Sequence, residues 1–249
     1  MPPAELLDLR PPPALDGDES LFLDFDGTLV ELAGAPDAIV VDDALRDLLI
    51  RLGERLDGRV AIVSGRSVEQ LDAFLGDALA GVAVVGSHGA ETRAAGGALV
   101  VPDRPDALAA AERALVDHFA DRGGVVIERK SLGVAVHYRH QPEAEAEAND
   151  LVARYAGRAG LVAQPGKMMA ELRLGGADKG SAIAALLQQP PFAAGRPVFL
   201  GDDVTDEDGF RAVAAAGGAG VLVGEARATA ATHRLDGVAA VRRWLAAAA

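Results

Sequence analysis

Four short apolar runs, each emptying at once into a polar loop, constrain this chain more than any other feature. Leu21 to Asp24 leads into Phe25-Asp26-Gly27-Thr28-Leu29, and Val60 to Val63 into Ser64-Gly65-Arg66. Val82 to Val85 leads into Gly86-Ser87-His88-Gly89, and Val198 to Leu200 into Gly201-Asp202-Asp203. Runs this short and this continuously apolar read as strands buried on both faces of a parallel sheet. Helical patterns separate them. In Asp42 to Leu56 the residues Leu45, Leu48, Leu49, Leu52 and Leu56 recur at helical spacing behind an Asp suited to capping the start. Further helices are expected over Ser67 to Leu75, Asp178 to Leu187, Asp206 to Ala216 and Ala239 to Leu245, with another strand over Val221 to Val223. The alternation predicts an open α/β fold, a doubly wound parallel sheet with helices on both faces.

The middle of the chain breaks this rhythm. Thr92 to Val101, with Gly96-Gly97 between two short segments, reads as a hairpin, and Pro102 to Pro105 as a hinge. A helix follows (Asp106 to Arg122), then strands Val125 to Lys130 and Gly133 to Arg139, a helix Pro142 to Ala156, and strands Leu161 to Gln164 and Lys167 to Leu174. Paired strands flanked by helices suggest a small antiparallel α+β module inserted into the parallel domain. Residues 1–103 and 175–249 are expected to form the core, and 104–174 the insert.

Composition narrows the chemistry. A chain of 249 residues, half of them hydrophobic, can bury a sizeable core. A formal charge of −13 argues against nucleic acid and anionic membranes as partners, so an anionic substrate needs a local positive site. With no cysteine, the reactive groups are carboxylates, hydroxyls, amines and imidazoles. No apolar run has the length of a membrane span, and Val213 to Val223 is broken by Gly217, Gly218 and Gly220. Met1 to Pro13 carries acidic residues where a signal peptide is basic, and reads as a loose lead-in. A cytoplasmic location is expected; the oligomeric state is left open, with a monomer as the default.

In an open α/β sheet the ligand crevice lies outside the carboxyl ends of the strands. Asp24, Asp26, Asp202 and Asp203 all fall there, so carboxylates from distant positions can converge on one spot. Crowded carboxylates call for a hard cation, and Mg²⁺ suits a site of few protein carboxylates plus a substrate phosphate. Asp24 and Asp26 share such a site only if the chain turns sharply, and Gly27 supplies that freedom. The spacing suggests divided labour, one carboxylate attacking phosphorus and the other moving protons to the leaving oxygen and from water. Ser64 and Lys179 are suited to holding phosphoryl oxygens, helped by backbone N–H groups at a helix start.

Asp24-Phe25-Asp26-Gly27-Thr28-Leu29, Ser64, Lys179 and Gly201-Asp202-Asp203-Val204-Thr205-Asp206 stand in the order of the four signature motifs of the haloacid dehalogenase-like (HAD) phosphatases, and the chain resembles that superfamily over nearly its whole length. The resemblance implies a Rossmann-like core with an inserted α+β cap of the C2B type. It implies Asp24 as nucleophile, Asp26 as general acid/base, and Ser64 and Lys179 as phosphate holders. It also implies a Mg²⁺ held by Asp24, Asp202 and the Asp26 backbone carbonyl, with Thr28, Asp203 and Asp206 in support. A narrower similarity, to trehalose-6-phosphate phosphatases, rests on Ser64-Gly65-Arg66, Ser87-His88-Gly89-Ala90-Glu91, Glu128-Arg129-Lys130, Gly166-Lys167, Glu171-Leu172-Arg173 and Lys179-Gly180. It implies a sugar-phosphate substrate met by Gly65, Arg66, His88, Gly89, Glu128, Lys130, Lys167 and Glu171. Glu128 with Lys130, and Lys167 with Glu171, are each an even number of residues apart, so on a strand each pair shares a face. Met168-Met169 departs from the β-branched residues expected there.

Plainer readings compete at several positions. Asp202, Asp203 and Asp206 also suit helix capping, and Asp206 is expected to be mainly structural. His88 fits a satisfied loop histidine as well as a substrate contact, and Glu91 is a weaker case of the same kind. The charges of the insert also fit an exposed sheet face laced with ion pairs. The rival activities are a sucrose-phosphate phosphatase, a phosphomannomutase, and a silent sugar-phosphate-binding module.

Overall fold

The computed structural model describes residues 9–33, 38–166 and 168–249; Lys167 and the first eight residues of the expected lead-in lie outside the described residues. The chain divides into two compact units, residues 1–100 with 178–249, and residues 101–177.

Among the described residues the first unit contains strands β1 (Glu19–Leu23), β2 (Val60–Val63), β3 (Ala83–Gly86), β4 (Glu91–Arg93) and β5 (Leu99–Val100). The second unit contributes β6 (Val126–Arg129), β7 (Gly133–His137), β8 (Leu161–Gly166) and β9 (Met169–Leu174), after which the first unit resumes with β10 (Arg196–Gly201), β11 (Ala219–Val223) and β12 (His233–Leu235). Helices α1 (Asp43–Arg55), α2 (Val68–Leu75), α5 (Lys179–Leu186), α6 (Glu207–Ala215) and α7 (Val238–Ala246) belong to the first unit, α3 (Asp106–Phe119) and α4 (Glu145–Ala153) to the second.

The large sheet runs β12-β11-β10-β1-β2-β3-β4-β5. It is parallel from β12 to β3 and antiparallel at β4 and β5. From β1 the chain steps outward through β2 and β3; after the insert it re-enters at β10 and steps the other way, so the strand order reverses at the β1/β10 pair. Successive side chains of β1 explain the two layers. Leu21 and Leu23 join the helices α1, α2 and α7 in one buried cluster, while Phe22 joins Ile183 of α5 and Phe210 and Val213 of α6 on the opposite face. Local capping starts the helices where expected: Asp42 accepts from Leu45 N at 2.9 Å, Ser67 and Gln70 cap α2 reciprocally, and so do Asp178 and Ser181 for α5.

Two expectations need correction. The parallel sheet extends one strand beyond β11: β12 pairs with it as an edge, and the mixed residues His233-Arg234-Leu235 carry no strand pattern. Residues 9–13 are not loose: the Arg10 carbonyl accepts from Arg234 N at 3.0 Å, the Pro13 carbonyl accepts from Trp244 Nε1 at 2.9 Å, and Leu9 packs on the core.

In the second unit the sheet runs β6-β7-β9-β8, antiparallel throughout. Val134, Val136, Ala170 and Leu172 pack with Leu108 and Leu115 of α3 and Leu151 and Val152 of α4. Pairing of Glu128 with Ala135, Ala135 with Glu171, and Glu171 with Gln164 then sets those four residues in one row on the other face. No helix among the described residues is long and apolar enough to cross a membrane.

Candidate active site

The β1/β10 reversal is where the two strand ends carrying acidic loops lie side by side. Asp24 follows β1, and its backbone N–H donates to the Leu200 carbonyl of β10 at 2.9 Å. Beyond it the chain coils tightly, with Leu29 N and Val30 N both donating to the Phe25 carbonyl at 2.9 and 3.1 Å. Gly27 sits in this coil at φ +77°, and a Cβ there would lie 2.2 Å from Asp202 Oδ2. Only glycine lets the first loop close against the Asp202 carboxylate. Asp202 itself follows β10, and the next turn is closed reciprocally: Asp203 N donates to Asp206 Oδ2 at 2.9 Å, and Val204 N to Asp203 Oδ1 at 2.7 Å. Gly201 leaves room for Asp206, whose Cγ would lie 2.4 Å from a Cβ at that position.

Lys179, the first residue of α5, reaches into the cluster. Its ammonium donates to Asp24 Oδ1 at 2.7 Å and to Asp206 Oδ1 at 2.5 Å. Thr28 Oγ1 donates to Asp24 Oδ2 at 3.3 Å. Oxygens of Asp24, Asp202 and Asp206 lie within 4.8 Å of one another, and Asp24, Asp206 and Lys179 are buried. Asp206 is therefore not an ordinary helix cap; it belongs to the cluster, with one oxygen on Lys179 and the other on Asp203 N.

Three carboxylates against one ammonium leave two negative charges in a largely dehydrated space. Burial, reinforced by Asp206 and Asp202, holds the Asp24 carboxyl well above the ordinary carboxylate range despite Lys179. Burial first, then the charges of Asp206 and Asp203, pushes Asp202 up to about 7. Burial opposes the charge on Lys179, but Asp206 and Asp24 outweigh it and keep the ammonium firmly protonated. The donor set is all oxygen, negatively charged and short of counter-charge, which fits a hard divalent cation such as Mg²⁺. Both Asp206 oxygens and one Asp24 oxygen are committed to strong donors; Asp202 and the weakly held Asp24 Oδ2 are the carboxylate oxygens best placed to ligate.

Asp26 points elsewhere. Arg66 holds its carboxylate through two bonds, Nε to Oδ2 at 2.6 Å and Nη2 to Oδ1 at 2.8 Å, and the guanidinium also lies 5.0 Å from the Phe74 ring centroid. Ser64 is buried at the end of β2; its hydroxyl accepts from Arg66 N at 3.1 Å and its carbonyl from His88 N at 3.0 Å. Ser87 and His88 both have left-handed backbones, φ 49° and 56°, a strained state for such residues. The His88 ring covers Gly65, where a Cβ would lie 2.6 Å from it. Gly89, at φ +106°, lets this loop approach the Asp178 carbonyl, 2.4 Å from a Cβ built there. Glu91 has a structural role, its Oε2 accepting from Val68 N at 2.7 Å at the start of α2.

In the second unit the charged residues pair between strands. Lys130 donates to Glu171 Oε1 at 3.0 Å, and His137 Nε2 lies 2.8 Å from Glu128 Oε2. Glu128 of β6 thus meets His137 of the neighbouring β7, and Lys130, just past the end of β6, meets Glu171 of β9. Arg173 Nε donates to Gln164 Oε1 at 2.5 Å on the same face. Arg173 shares this face by its spacing of two from Glu171, while His137 and Gln164 are polar members of it that the strand register adds.

The sequence profile of one family, described as trehalose-phosphatase, matches residues 22–239. The trehalose-6-phosphate phosphatase of Escherichia coli (strain K12) is 40% identical over 238 residues, covering 94% of this chain and 87% of that protein. The probable trehalose-phosphate phosphatase of Sinorhizobium fredii is 40% identical over 207 residues, 82% of this chain and 77% of its own. Among solved structures, a trehalose-6-phosphate phosphatase related protein superposes with a TM-score of 0.73 at 30% identity, over 91% of this chain and 95% of that one.

Proposed function

Because the chain belongs to the trehalose-phosphatase family, we propose that it hydrolyses trehalose 6-phosphate to trehalose and inorganic phosphate on its HAD-like core. The observation that carries the reading is the buried meeting of Asp24, Asp202, Asp206 and Lys179 at the strand-order reversal. Asp24 is the nucleophile: a carboxylate oxygen attacks phosphorus in line, the bond from phosphorus to the sugar oxygen breaks, and an aspartyl-phosphate forms. Asp26 supplies the proton that the departing sugar oxygen takes up. It then removes one from the water that attacks the aspartyl-phosphate, releasing phosphate and restoring Asp24. For this Asp26 must leave the grip of Arg66, so the pair acts as a latch as much as a support. Lys179 orients Asp24 and offsets charge on the phosphoryl oxygens, and Ser64 stands at the adjacent strand end to donate to them.

Asp24 and Asp202 are the side chains that would hold Mg²⁺, and the cation would supply the positive charge that lets a phosphate dianion approach a carboxylate. The second unit is the substrate-selecting one, its charges of both signs suiting the many hydroxyls of a disaccharide. A cytoplasmic location belongs to the same proposal.

A panel of sugar phosphates offered to the purified protein with Mg²⁺, scored by free phosphate, tests the assignment and separates a phosphatase from a mutase, which returns phosphate to the sugar. Asp24→Asn should leave a folded protein without turnover; substantial phosphate release by that variant would refute the mechanism.

A further inference from the structure

The turn that carries Asp202 and Asp206 is tied from outside by a residue the catalytic scheme does not use. Arg227 lies in the loop beyond β11, the strand beside β10. Its Nη2 donates to the backbone carbonyl of Asp203 at 2.7 Å, and its Nη1 pairs with Glu207 and donates to the Ala228 carbonyl at 3.1 Å. The other Glu207 oxygen accepts from Ala230 N at 2.8 Å. Burial alone would raise the Glu207 carboxyl, but Ala230 N, Thr229 and Arg227 together hold it below the ordinary range. One planar guanidinium thus joins the carbonyl at residue 203 to the first side chain of α6.

That carbonyl also accepts from Asp206 N at 3.1 Å, the bond that closes the turn. The carbonyl belongs to the peptide between residues 203 and 204, so a shift there turns Asp203 about its Cα and carries with it the peptide that follows Asp202 and the Asp203 N–H that holds the Asp206 side chain. Asp202 and Asp206 are two of the three carboxylates in the cluster. Arg227 Nε is buried without a hydrogen-bond partner, so the guanidinium leaves one donor unsatisfied in order to reach both of its anchors.

We propose that Arg227, braced by Glu207, is a positioning residue for the divalent cation: it fixes the Asp203 peptide and thereby the Asp202 carboxylate that ligates. The inference rests on the cation-dependent phosphatase reading above. Arg227 touches neither substrate nor cation, and lysine cannot replace it, because an ammonium lacks the rigid fork that spans a carbonyl and a carboxylate.

The test compares the parent with Arg227→Ala, Arg227→Lys and Glu207→Gln. Mg²⁺ binding is measured by calorimetry and by the rise in unfolding temperature with added Mg²⁺, and phosphate release is measured against both Mg²⁺ and sugar phosphate. Loss of a residue that orients a ligand weakens metal binding by about 10- to 100-fold. Arg227→Ala should show that loss, Arg227→Lys most of it, and neither should change KM for the sugar phosphate at saturating Mg²⁺. Arg227→Lys keeps the charge and stem and carries the test should the alanine variant fail to fold. Variants that bind Mg²⁺ as the parent does, or that lose sugar affinity instead, overturn the inference and leave the phosphatase reading intact. A parent that binds no Mg²⁺ overturns that reading itself, and this inference with it.

Discussion

Removing the Lys179 ammonium should expose how much of the fold's stability depends on charge balance at the site. Lys179 is 4% exposed and is the buried cation shared by Asp24 and Asp206, at 2.7 and 2.5 Å. Lys179→Met keeps the length of the stem and deletes the charge, leaving two buried carboxylates without it. Breaking a buried pair in this way costs about 3–5 kcal/mol. At roughly 2–4 °C per kcal/mol for a domain of this size, the unfolding midpoint should fall by roughly 6–20 °C. Trp244, the only tryptophan, lies in α7 of the core unit and reports the transition by fluorescence. The loss must also depend on pH. Asp24 is already held above its ordinary value of 3.8, and without the ammonium it is driven higher still. The native variant then keeps a proton that the unfolded chain has released, so its stability falls as pH rises, by up to about 1.4 kcal/mol per unit for one group. The deficit against the parent should be small near pH 4 and largest near pH 8, measured in chelator. A loss under about 1 kcal/mol at pH 8, or one that does not shrink on acidification, would refute the electrostatic account of the cluster.

Mg²⁺ affinity should fall with acidity toward about tenfold per pH unit below the value near 7 to which Asp202 is pushed, since the cation must there displace a proton. Calorimetry in buffers of different ionisation heat checks it, and affinity that is flat from pH 6 to pH 8 would contradict it. Gly27→Ala should fold yet lose most Mg²⁺ affinity and turnover, because its Cβ would stand 2.2 Å from Asp202 Oδ2; the left-handed backbone adds about 1–2 kcal/mol of strain, readable by urea unfolding. Lys130→Ala and Glu171→Ala break the pair at 3.0 Å and should weaken turnover of sugar phosphates while sparing p-nitrophenyl phosphate; equal losses on both substrates would count against sugar recognition by the second unit.

How much of this is legible in the sequence depends on how local the signal is. Strand β2 and the caps at Asp42 and Ser67 are readable because apolar runs and capping residues act within a few positions. The edge strand β12 is not, since three mixed residues paired on one side need no apolar pattern. At the site, the order of Asp24, Ser64, Lys179 and Asp202 marks the loops, but their partners are beyond reach. Lys179 meets Asp24 across 155 residues and Arg66 meets Asp26 across 40, contacts that exist only once the sheet order is set. In the second unit spacing decides which face a charged residue takes, whereas the register that brings Lys130 to Glu171 and His137 to Glu128 is set only between strands. Arg227 carries no signal beyond standing in a loop after an apolar strand.

The placement of Asp206 shows why the site cannot be divided into reactive and structural carboxylates. Its buried side chain does three things at once: it draws Lys179 toward Asp24, it closes the turn that presents Asp202, and it raises both Asp24 and Asp202 by its charge. Each action alone would be costly. Without Lys179 a buried Asp206 would be an unpaired charge, and without Asp206 the ammonium would pair with Asp24 alone and offset most of its charge. Sharing one ammonium between two carboxylates keeps Asp24 oriented but incompletely neutralised, so that the remaining negative charge is available to a divalent cation. The strand-order reversal supplies the geometry for this compromise. Only there do loops from β1 and β10, with the first turn of α5, converge closely enough for three short side chains and one lysine to meet.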